Sequence, residues 1–319
     1  MSYFSILVPV YNQVGKMDRC VESIRAQGFK DFEVIMVDDG STDGSYEMLQ
    51  GFAVEDDRIR ICRHDKNSSL TGARYTGMRE ASGEVIVFLD SDDYLSDNAL
   101  EVLYERFSST DADIVRFGFA FEPEGREEKP VVIKDALASL SDGSLSPSIW
   151  KNAYRKNVIE ELLAHTEPFY CNMGEDVYFS HIFYTFGKKF DRIDDILYHY
   201  QVDTGMSSVE KAMAYDVVKF RKSLSDVEAV TKHVMSFIHE FNPEYEETVK
   251  KSMDNMHHFV LLQHTLKDND LKNTVGYLAE VKDMELDELY EYGCNKLLRY
   301  KVLCDEGYMS LEQAWEFFK

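Results

Sequence analysis

Two stretches decide how this sequence folds: Phe32–Ser45, FEVIMVDDGSTDGS, and Val85–Leu95, VIVFLDSDDYL. Each begins with a run of β-branched and aromatic residues that is typical of a strand, and each run ends at a group of aspartates. The second run is almost wholly apolar, which indicates a strand buried on both faces of a parallel sheet. The two stretches therefore predict parallel strands that carry carboxylates at their carboxyl ends.

The residues around these stretches continue the alternation of strands and helices. We expect strands at Phe4–Val10, Phe32–Val37, Arg58–Cys62, Glu84–Leu89, Asp111–Phe121, Lys129–Ile133, Ile182–Phe190 and Ile196–Val202. We expect helices at Lys16–Gln27, after the capping residues Ser41–Asp43, at Leu70–Ala81, from near Ser96 and from near Glu175. This order predicts an α/β fold with a mostly parallel sheet covered by helices on both faces.

Length and composition set the number of domains. The chain has 319 residues, of which 44% are hydrophobic and 13% aromatic, enough for a large core. At about 150 residues per domain, two domains fit. Helical apolar stripes dominate after about residue 210, so we expect a domain over 1–207 and a helical region over 208–319. The 35 basic against 58 acidic side chains argue against nucleic acid as a partner, because phosphates would be repelled.

The cysteines and the amino terminus predict the compartment. The five cysteines are scattered without a CxxC pair, which favours reduced thiols over a disulfide framework or a zinc site. We find neither a signal-peptide pattern nor an apolar run near the roughly 18 residues of a membrane span. We therefore expect a cytoplasmic protein, peripheral at the inner face of the membrane if its substrate is lipid-linked.

Polar residues follow three of the predicted strands, at Tyr11–Asn12, Asp38–Asp39 and Asp90–Asp93. In open α/β sheets, ligands bind at this edge. Neither GxGxxG nor GxxxxGK[ST] is present where a dinucleotide or P-loop site would need it. A turn and helix cap is the simpler interpretation of the last group. Its oxygen-only donors also suit Mg²⁺ or Mn²⁺ bridging to a diphosphate.

Together these motifs resemble the family 2 inverting glycosyltransferases of the GT-A fold. The resemblance rests on four segments: Ser5–Asn12, Asp31–Ser45, Gly72–Gly77 and Gly83–Leu95. It is strong over residues 4–120, looser over 150–207 and absent after about 210. It implies a nucleotide-sugar half over 1–120 and an acceptor half over 121–207. It also implies transfer of a hexose, with inversion and with Mn²⁺ or Mg²⁺, from a UDP-sugar to a saccharide, glycolipid or glycoprotein glycan, as in bacterial polysaccharide biosynthesis.

The resemblance implies roles for individual residues. Those placed at the nucleotide sugar are Pro9, Val10, Tyr11, Asn12, Asp39, Arg74, Asp90 and Ser91. Among them Asp39 would accept the N–H of uracil. Asp92 would be a direct metal ligand, and His199 is either a further metal ligand or a structural residue. Many relatives carry a Gly-Gly pair before the arginine helix, and Lys66–Leu70 stands there in this chain.

Glu175 and Asp176 open a predicted helix over Glu175–Phe186. Favourable charge at a helix N-terminus, worth about 0.3–1 kcal/mol, is one explanation of such a pair. The resemblance implies the other, a general base that takes the proton of the acceptor hydroxyl. We expect Asp176 to be the base and Glu175 to position the acceptor, on the acceptor side and away from the acidic cluster. Trp150 would stack on a sugar or belong to the core.

Two further functions stay open from the sequence alone. One is a GT-A domain that holds a nucleotide sugar without turnover. The other is a scaffold of a glycan assembly complex. For the helical region, packing on the catalytic domain, acceptor binding and formation of a homo-oligomer are alternatives.

Overall fold

The structure, a computed structural model, describes residues 2–202 and 217–265. The strands in these ranges are β1 (Phe4–Val10), β2 (Phe32–Asp38), β3 (Ile59–Arg63), β4 (Val85–Phe88), β5 (Tyr94–Leu95), β6 (Ile114–Glu122), β7 (Arg126–Glu128), β8 (Asn152–Arg155) and β9 (Phe190–Gln201). The helices are α1 (Asp18–Ala26), α2 (Ser45–Glu55), α3 (Ser69–Glu80), α4 (Ala99–Ser109), α5 (Ala136–Ser141), α6 (Lys156–His165), α7 (Glu175–Phe186), α8 (Val217–Phe241) and α9 (Glu246–Thr265).

One mixed sheet runs through the described residues in the order β3-β2-β1-β4-β8-β6-β9-β5, with β7 paired to β6. Strands β3, β2, β1 and β4 are parallel neighbours. Strand β8 lies antiparallel to both β4 and β6, β6 is parallel to β9, and β5 is antiparallel to β9. The predicted α/β class is confirmed. Its parallel half brings the carboxyl ends of β1, β2 and β4 to one edge.

Burial explains why the apolar runs form these strands. All four residues of β4 are buried, and Val10 of β1 pairs in register with Asp38 of β2. The expected strand at Phe4–Val10 has the predicted bounds, and the helices α1 and α3 differ from prediction by one or two residues at an end. The near-continuous apolar runs of a central parallel sheet can thus be recognised in the sequence.

Two expected strands and one expected cap are wrong. Lys129–Ile133 forms no strand, because β7 ends before it and its apolar members Val131 and Val132 are 48% and 65% exposed. Most of Ile182–Phe190 belongs to α7, which is buried around much of its surface, and a short apolar run does not distinguish such a helix from a strand. The N-cap of α2 is Gly44 rather than a residue of Ser41–Asp43.

Helices α8 and α9 pack on the part of the chain that forms the sheet, through buried apolar side chains. Val230 and Val234 of α8 and Met253 of α9 belong to the main core cluster. Helical apolar stripes are expected after about residue 210, and one of them lies in α8, where Ile238 is fully buried. The predicted boundary near 205–210 and all helical stripes after residue 265 lie outside the described residues. Within the described part of the chain, every helix is too short or too polar to cross a bilayer.

Candidate active site

The loops that follow β1 and β2 are hydrogen-bonded to each other at the sheet edge. Asn12, at a φ of 53°, donates its backbone N–H to Ser41 Oγ at 3.0 Å. Its Oδ1 accepts the N–H of Thr42 at 2.9 Å. Asparagine adopts this left-handed conformation more readily than most residues. The predicted base-binding segment Pro9–Asn12 is therefore held in one conformation, with Tyr11 46% exposed.

Asp39 is buried at the carboxyl end of β2 with its side chain fixed. Its Oδ1 lies 2.6 Å from Nδ1 of His64 and accepts the N–H of Ser68 at 2.7 Å. His64 Nε2 in turn lies 2.8 Å from Thr76 Oγ1. Burial raises the pKa of the Asp39 carboxyl, and the bonds from Ser68 and His64 oppose that rise. The predicted uracil acceptor is thus oriented by the protein alone.

The loop that replaces the Gly-Gly pair of relatives is also tightly held. Ser69 adopts a φ of 74°, in the left-handed region, and its Oγ accepts the N–H of Cys171 at 3.0 Å. Gly40, at a φ of 73°, lies directly beneath this loop, where a Cβ would come within 2.8 Å of the Lys66 backbone. Only glycine fits at position 40, because the two backbones approach so closely.

The acidic group after β4 is organised around Asp93 and Tyr198. The Tyr198 hydroxyl donates to Asp93 Oδ2 at 2.6 Å and accepts the N–H of Asp90 at 3.2 Å. Asp93 Oδ1 accepts the N–H of Gln201 at 2.7 Å. Burial, and after it the charges of Asp90 and Asp92, raise the pKa of Asp93. Ser91 between them is buried, whereas Asp90 and Asp92 are half-buried. Negative charge is therefore concentrated at the edge of the sheet.

Arg74 joins this acidic group to the pair at the start of α7. The guanidinium is 2% exposed and donates from Nη1 to Asp176 at 2.8 Å and to Glu175 at 3.1 Å. From Nη2 it donates to Asp90 at 3.2 Å. A planar guanidinium offers five N–H donors in a fixed fork, which suits it to bridging several carboxylates at a buried position. The structure thus places Arg74, expected at the nucleotide, among three carboxylates.

The acidic pair of α7 differs in position from what its sequence suggested. The expectation that it lies away from the acidic group is wrong, because Asp176 and Asp90 share Arg74. Burial raises the pKa of both Glu175 and Asp176, and Arg74 opposes the rise. The Asp176 side chain is 25% exposed and that of Glu175 is 11% exposed. Asp176 is the more accessible carboxylate for an incoming hydroxyl.

His199 lies in β9, with its ring stacked on Tyr94 at 4.4 Å between centroids. Its Nδ1 lies 3.0 Å from Glu122 Oε1 and its Nε2 lies 3.0 Å from Ser96 Oγ. Over residues 2–202 and 217–265, no three His, Cys, Asp or Glu side chains are grouped to hold a metal ion. The metal roles of Asp92 and His199 stay predictions. For His199 to bind a metal, one ring nitrogen would have to give up its hydrogen bond to Glu122 or to Ser96.

Trp150 is part of the core. It is 7% exposed and stacks on Tyr198 at 4.5 Å and on Tyr200 at 5.5 Å between centroids. The ammonium of neighbouring Lys151 lies 4.1 Å from the Phe119 ring centroid, and burial lowers its pKa to about 8. These aromatic rings support Tyr198 and, through it, the acidic group.

Three residues that the sequence did not single out hold the site together. His64 follows β3 directly, so the rule about carboxyl ends of strands could have found it. For Tyr198, the sequence showed only that the residue lies in a predicted strand with alternating side-chain directions. Asp226 of α8, which accepts the N–H groups of Asn172 and Met173 at 3.1 and 3.2 Å, carried no signal, since its partners lie more than 50 residues away.

The fold and the residues at this edge of the sheet define the class of protein, a nucleotide-sugar transferase of the GT-A fold. The family model described as Glycosyl transferase family 2 matches residues 5–183, more than half of the chain. The chain belongs to this family and is a glycosyltransferase.

Curated relatives are similar over different shares of the chain. Glycosyltransferase GlyG of Streptococcus pneumoniae serotype 4 is 29% identical over 70% of this chain and 79% of its own length. Putative glycosyltransferase EpsH of Bacillus subtilis is 30% identical over 62% of this chain and 60% of its own. The GalNAc(5)-diNAcBac-PP-undecaprenol beta-1,3-glucosyltransferase of Campylobacter jejuni is 34% identical over 54% and 57%. The match spans less than two thirds of the last two proteins.

Solved structures share the fold. Staphylococcus aureus TarS 1–349 in complex with UDP-GlcNAc has a TM-score of 0.61 at 18% identity, covering 88% of this chain and 80% of that one. Mannosyltransferase PcManGT of Pyrobaculum calidifontis, in complex with GDP-Man and Mn²⁺, has a TM-score of 0.55 at 15% identity, covering 93% and 80%. At these identities the likeness concerns the fold, and it confirms the GT-A architecture.

Proposed function

We propose that this glycosyltransferase moves a hexose from a UDP-sugar to a hydroxyl of a saccharide or lipid-linked acceptor, with inversion and with Mn²⁺ or Mg²⁺. The observation that carries the proposal is the Arg74 bridge, because it brings the acidic group after β4 and the acidic pair of α7 around one guanidinium. We assign the donor side to residues 1–120, which carry Arg74 and Asp90, and the acceptor side to residues 121–207, which carry Glu175 and Asp176.

The choice of a uridine donor rests on Asp39. Its carboxylate is buried and oriented by His64 and Ser68, beside the ordered loop that carries Tyr11 and Asn12. A buried acceptor that pairs with a base N–H discriminates strongly against bases that lack the donor. The structural neighbour TarS was solved with UDP-GlcNAc and with UDP, which supports the same choice.

The donor set at the end of β4 fits a hard divalent cation. Asp90 and Asp92 are half-buried and offer carboxylate oxygens, the ligands that hard divalent cations prefer. Mg²⁺ is commonly bound by one or two carboxylates together with substrate phosphates and water, so a small number of protein carboxylates suffices for such a site. When bound, the ion stabilises negative charge on the leaving diphosphate.

Asp176 is the proposed base. Its carboxylate takes the proton of the acceptor hydroxyl as the oxygen attacks the anomeric carbon from the face opposite the diphosphate. Arg74 lowers the pKa of the carboxyl against the larger effect of burial, and its hydrogen bond fixes the direction of the side chain. Glu175, more deeply buried on the same guanidinium, positions the acceptor through the first turn of α7.

The proposal also includes the type of acceptor and the cellular location of the enzyme. The name of the Campylobacter relative describes transfer to a glycan carried on PP-undecaprenol, which supports a lipid-linked acceptor for this chain. With such an acceptor the enzyme works in the cytoplasm at the inner face of the membrane. Self-association through the helical region stays a prediction, since most of that region lies outside the described residues.

A panel of nucleotide sugars tests the reaction and its metal. We expect release of UDP from one UDP-sugar in the presence of Mn²⁺ or Mg²⁺ and acceptor, and none in EDTA. Asp92→Ala should abolish this release, whereas Asp97→Asn, an exposed acid five residues further along the chain, should retain it. Full activity in EDTA or in Asp92→Ala would refute the metal role, and GDP bound as tightly as UDP in calorimetry would refute the uridine donor.

Conservative substitutions separate the two acids of α7. Asp176→Asn keeps the shape and should lower kcat by about 10²–10⁴ with unchanged UDP affinity, because the base acts only in the transition state. Glu175→Gln should lower kcat less. Glu167→Gln, 86% exposed in its side chain, is the control. A dead Glu175→Gln beside an active Asp176→Asn would reverse the two roles, and two active variants would place the base elsewhere.

A further inference from the structure

We propose that Asp226 of α8 is a positioning residue for the acidic pair, which makes the helical region part of the catalytic unit. The inference rests on the proposed function, since it assumes that the start of α7 carries the base. Asp226 lies about 50 residues beyond that pair, on a helix that follows the residues of the GT-A resemblance.

The contact is made to the main chain directly before α7. Asp226 is 6% exposed, and its Oδ2 accepts the N–H of Asn172 at 3.1 Å and the N–H of Met173 at 3.2 Å. Two residues separate Met173 from Asp176. Burial raises the pKa of Asp226, and the two N–H donors oppose the rise. One carboxylate oxygen therefore fixes two successive peptide groups of the loop that leads into the predicted base.

The other side of the same loop is fixed to α3. The carbonyl of Cys171 accepts the Thr71 hydroxyl at 2.9 Å and the Thr71 N–H at 3.4 Å. Oδ1 of Asn172 accepts the N–H of Leu70 at 3.1 Å. Arg74 lies one turn further along α3. The loop is thus held between α3, which carries the arginine, and α8, which carries Asp226.

Packing at Gly174 gives an independent reason to connect α8 with the site. Gly174 is the N-cap of α7 at a φ of 83°. A Cβ there would lie 3.2 Å from Met256 Sδ of α9 and 3.6 Å from Val230 Cγ2 of α8. The first turn of α7 therefore rests on the helical region through direct contact as well as through Asp226.

The consequence for catalysis follows from the tolerance of a general base. A reacting group misplaced by about 1 Å can lose about 10²-fold in rate. Arg74 sets the direction of Asp176, but Arg74 and Asp176 lie on different helices. Their relative position depends on the loop at 171–173, and α8 supplies the hydrogen bonds on its outer side.

Side-chain length and charge can be varied separately in the full chain. Asp226→Asn keeps the length and one acceptor oxygen, so it should retain kcat within about threefold. Asp226→Glu keeps the charge but pushes the loop by about one bond length, so it should lower kcat at least about tenfold. Asp226→Ala should lower it at least as much. In all three, UDP affinity by calorimetry should change much less than kcat, since Asp226 bonds only to the main chain of the loop directly before α7. Glu240→Ala, an exposed acid on the same helix, should behave as wild type.

Two results would overturn the inference: an Asp226→Glu variant with wild-type kcat, or an Asp226→Asn variant as impaired as Asp226→Glu, which would mean that charge and not position matters. Asp176→Asn, measured in parallel, distinguishes a failure of the base assignment from a failure of the positioning role. If Asp176→Asn retains kcat, the base assignment fails. If Asp176→Asn is inactive while all Asp226 variants are active, only the positioning role fails.

Discussion

Replacing Arg74 by methionine tests the central contact of the site. Methionine keeps much of the apolar volume but leaves three carboxylates without their shared cation. Removing one partner of a buried ion pair typically costs about 3–5 kcal/mol. Asp176 and Asp90 keep 25% and 27% side-chain exposure and can be hydrated, so we expect Arg74→Met to lower the free energy of unfolding by about 3 kcal/mol, the lower end of that range.

The loss should depend on pH. Burial raises the pKa of Glu175 and Asp176, and Arg74 opposes that rise. Acids with raised pKa values in the folded state bind more protons there than in the unfolded chain, so stability falls as pH rises from the unfolded value, near 4, through the folded one. Without Arg74 the folded-state pKa values of both acids rise further, so the pH range over which stability falls becomes wider. The deficit of Arg74→Met should therefore be larger at pH 7.5 than at pH 5.

Urea unfolding followed by circular dichroism measures both effects. Arg79→Met is the matched control, because Arg79 lies on the same helix and pairs with Glu167 at 3.1 Å in an exposed position. That pair should be worth less than about 1 kcal/mol. A loss in Arg74→Met no larger than in Arg79→Met, or a deficit that grows toward pH 5, would refute the argument.

Three other expectations concern single contacts. Gly174→Ala should lower the free energy of unfolding by about 1–2 kcal/mol, because φ is 83°, and a wild-type melting temperature would contradict this. Tyr198→Phe removes the donor to Asp93 and should cost about 1–3 kcal/mol, which urea unfolding can detect; equal stability would show that the bond is dispensable. His64→Ala should weaken UDP binding about fivefold, as for one ordinary hydrogen bond, by loosening Asp39, and unchanged calorimetric affinity would speak against that role.

Local patterns predicted much of the fold and which polar residues follow the parallel strands. The strands Phe4–Val10 and Phe32–Val37 and the helix that carries Arg74 were visible because apolar periodicity is a property of neighbouring residues. The placement of Asp39 and Asp90 at one edge of the sheet followed from one rule, that parallel strands end at the same edge. The same local logic was wrong for Ile182–Phe190, where a buried helix has the composition of a strand.

The sequence by itself determined the α/β class and which polar residues reach the sheet edge, because strand direction and strand ends are local properties. Only the tertiary structure decided that Arg74 contacts Asp176, 102 positions away, and that Asp226 holds the loop before the predicted base. It also decided that β8 inserts antiparallel between β4 and β6. Such contacts depend on how distant elements pack, and burial gives them their strength, so no local pattern carries them.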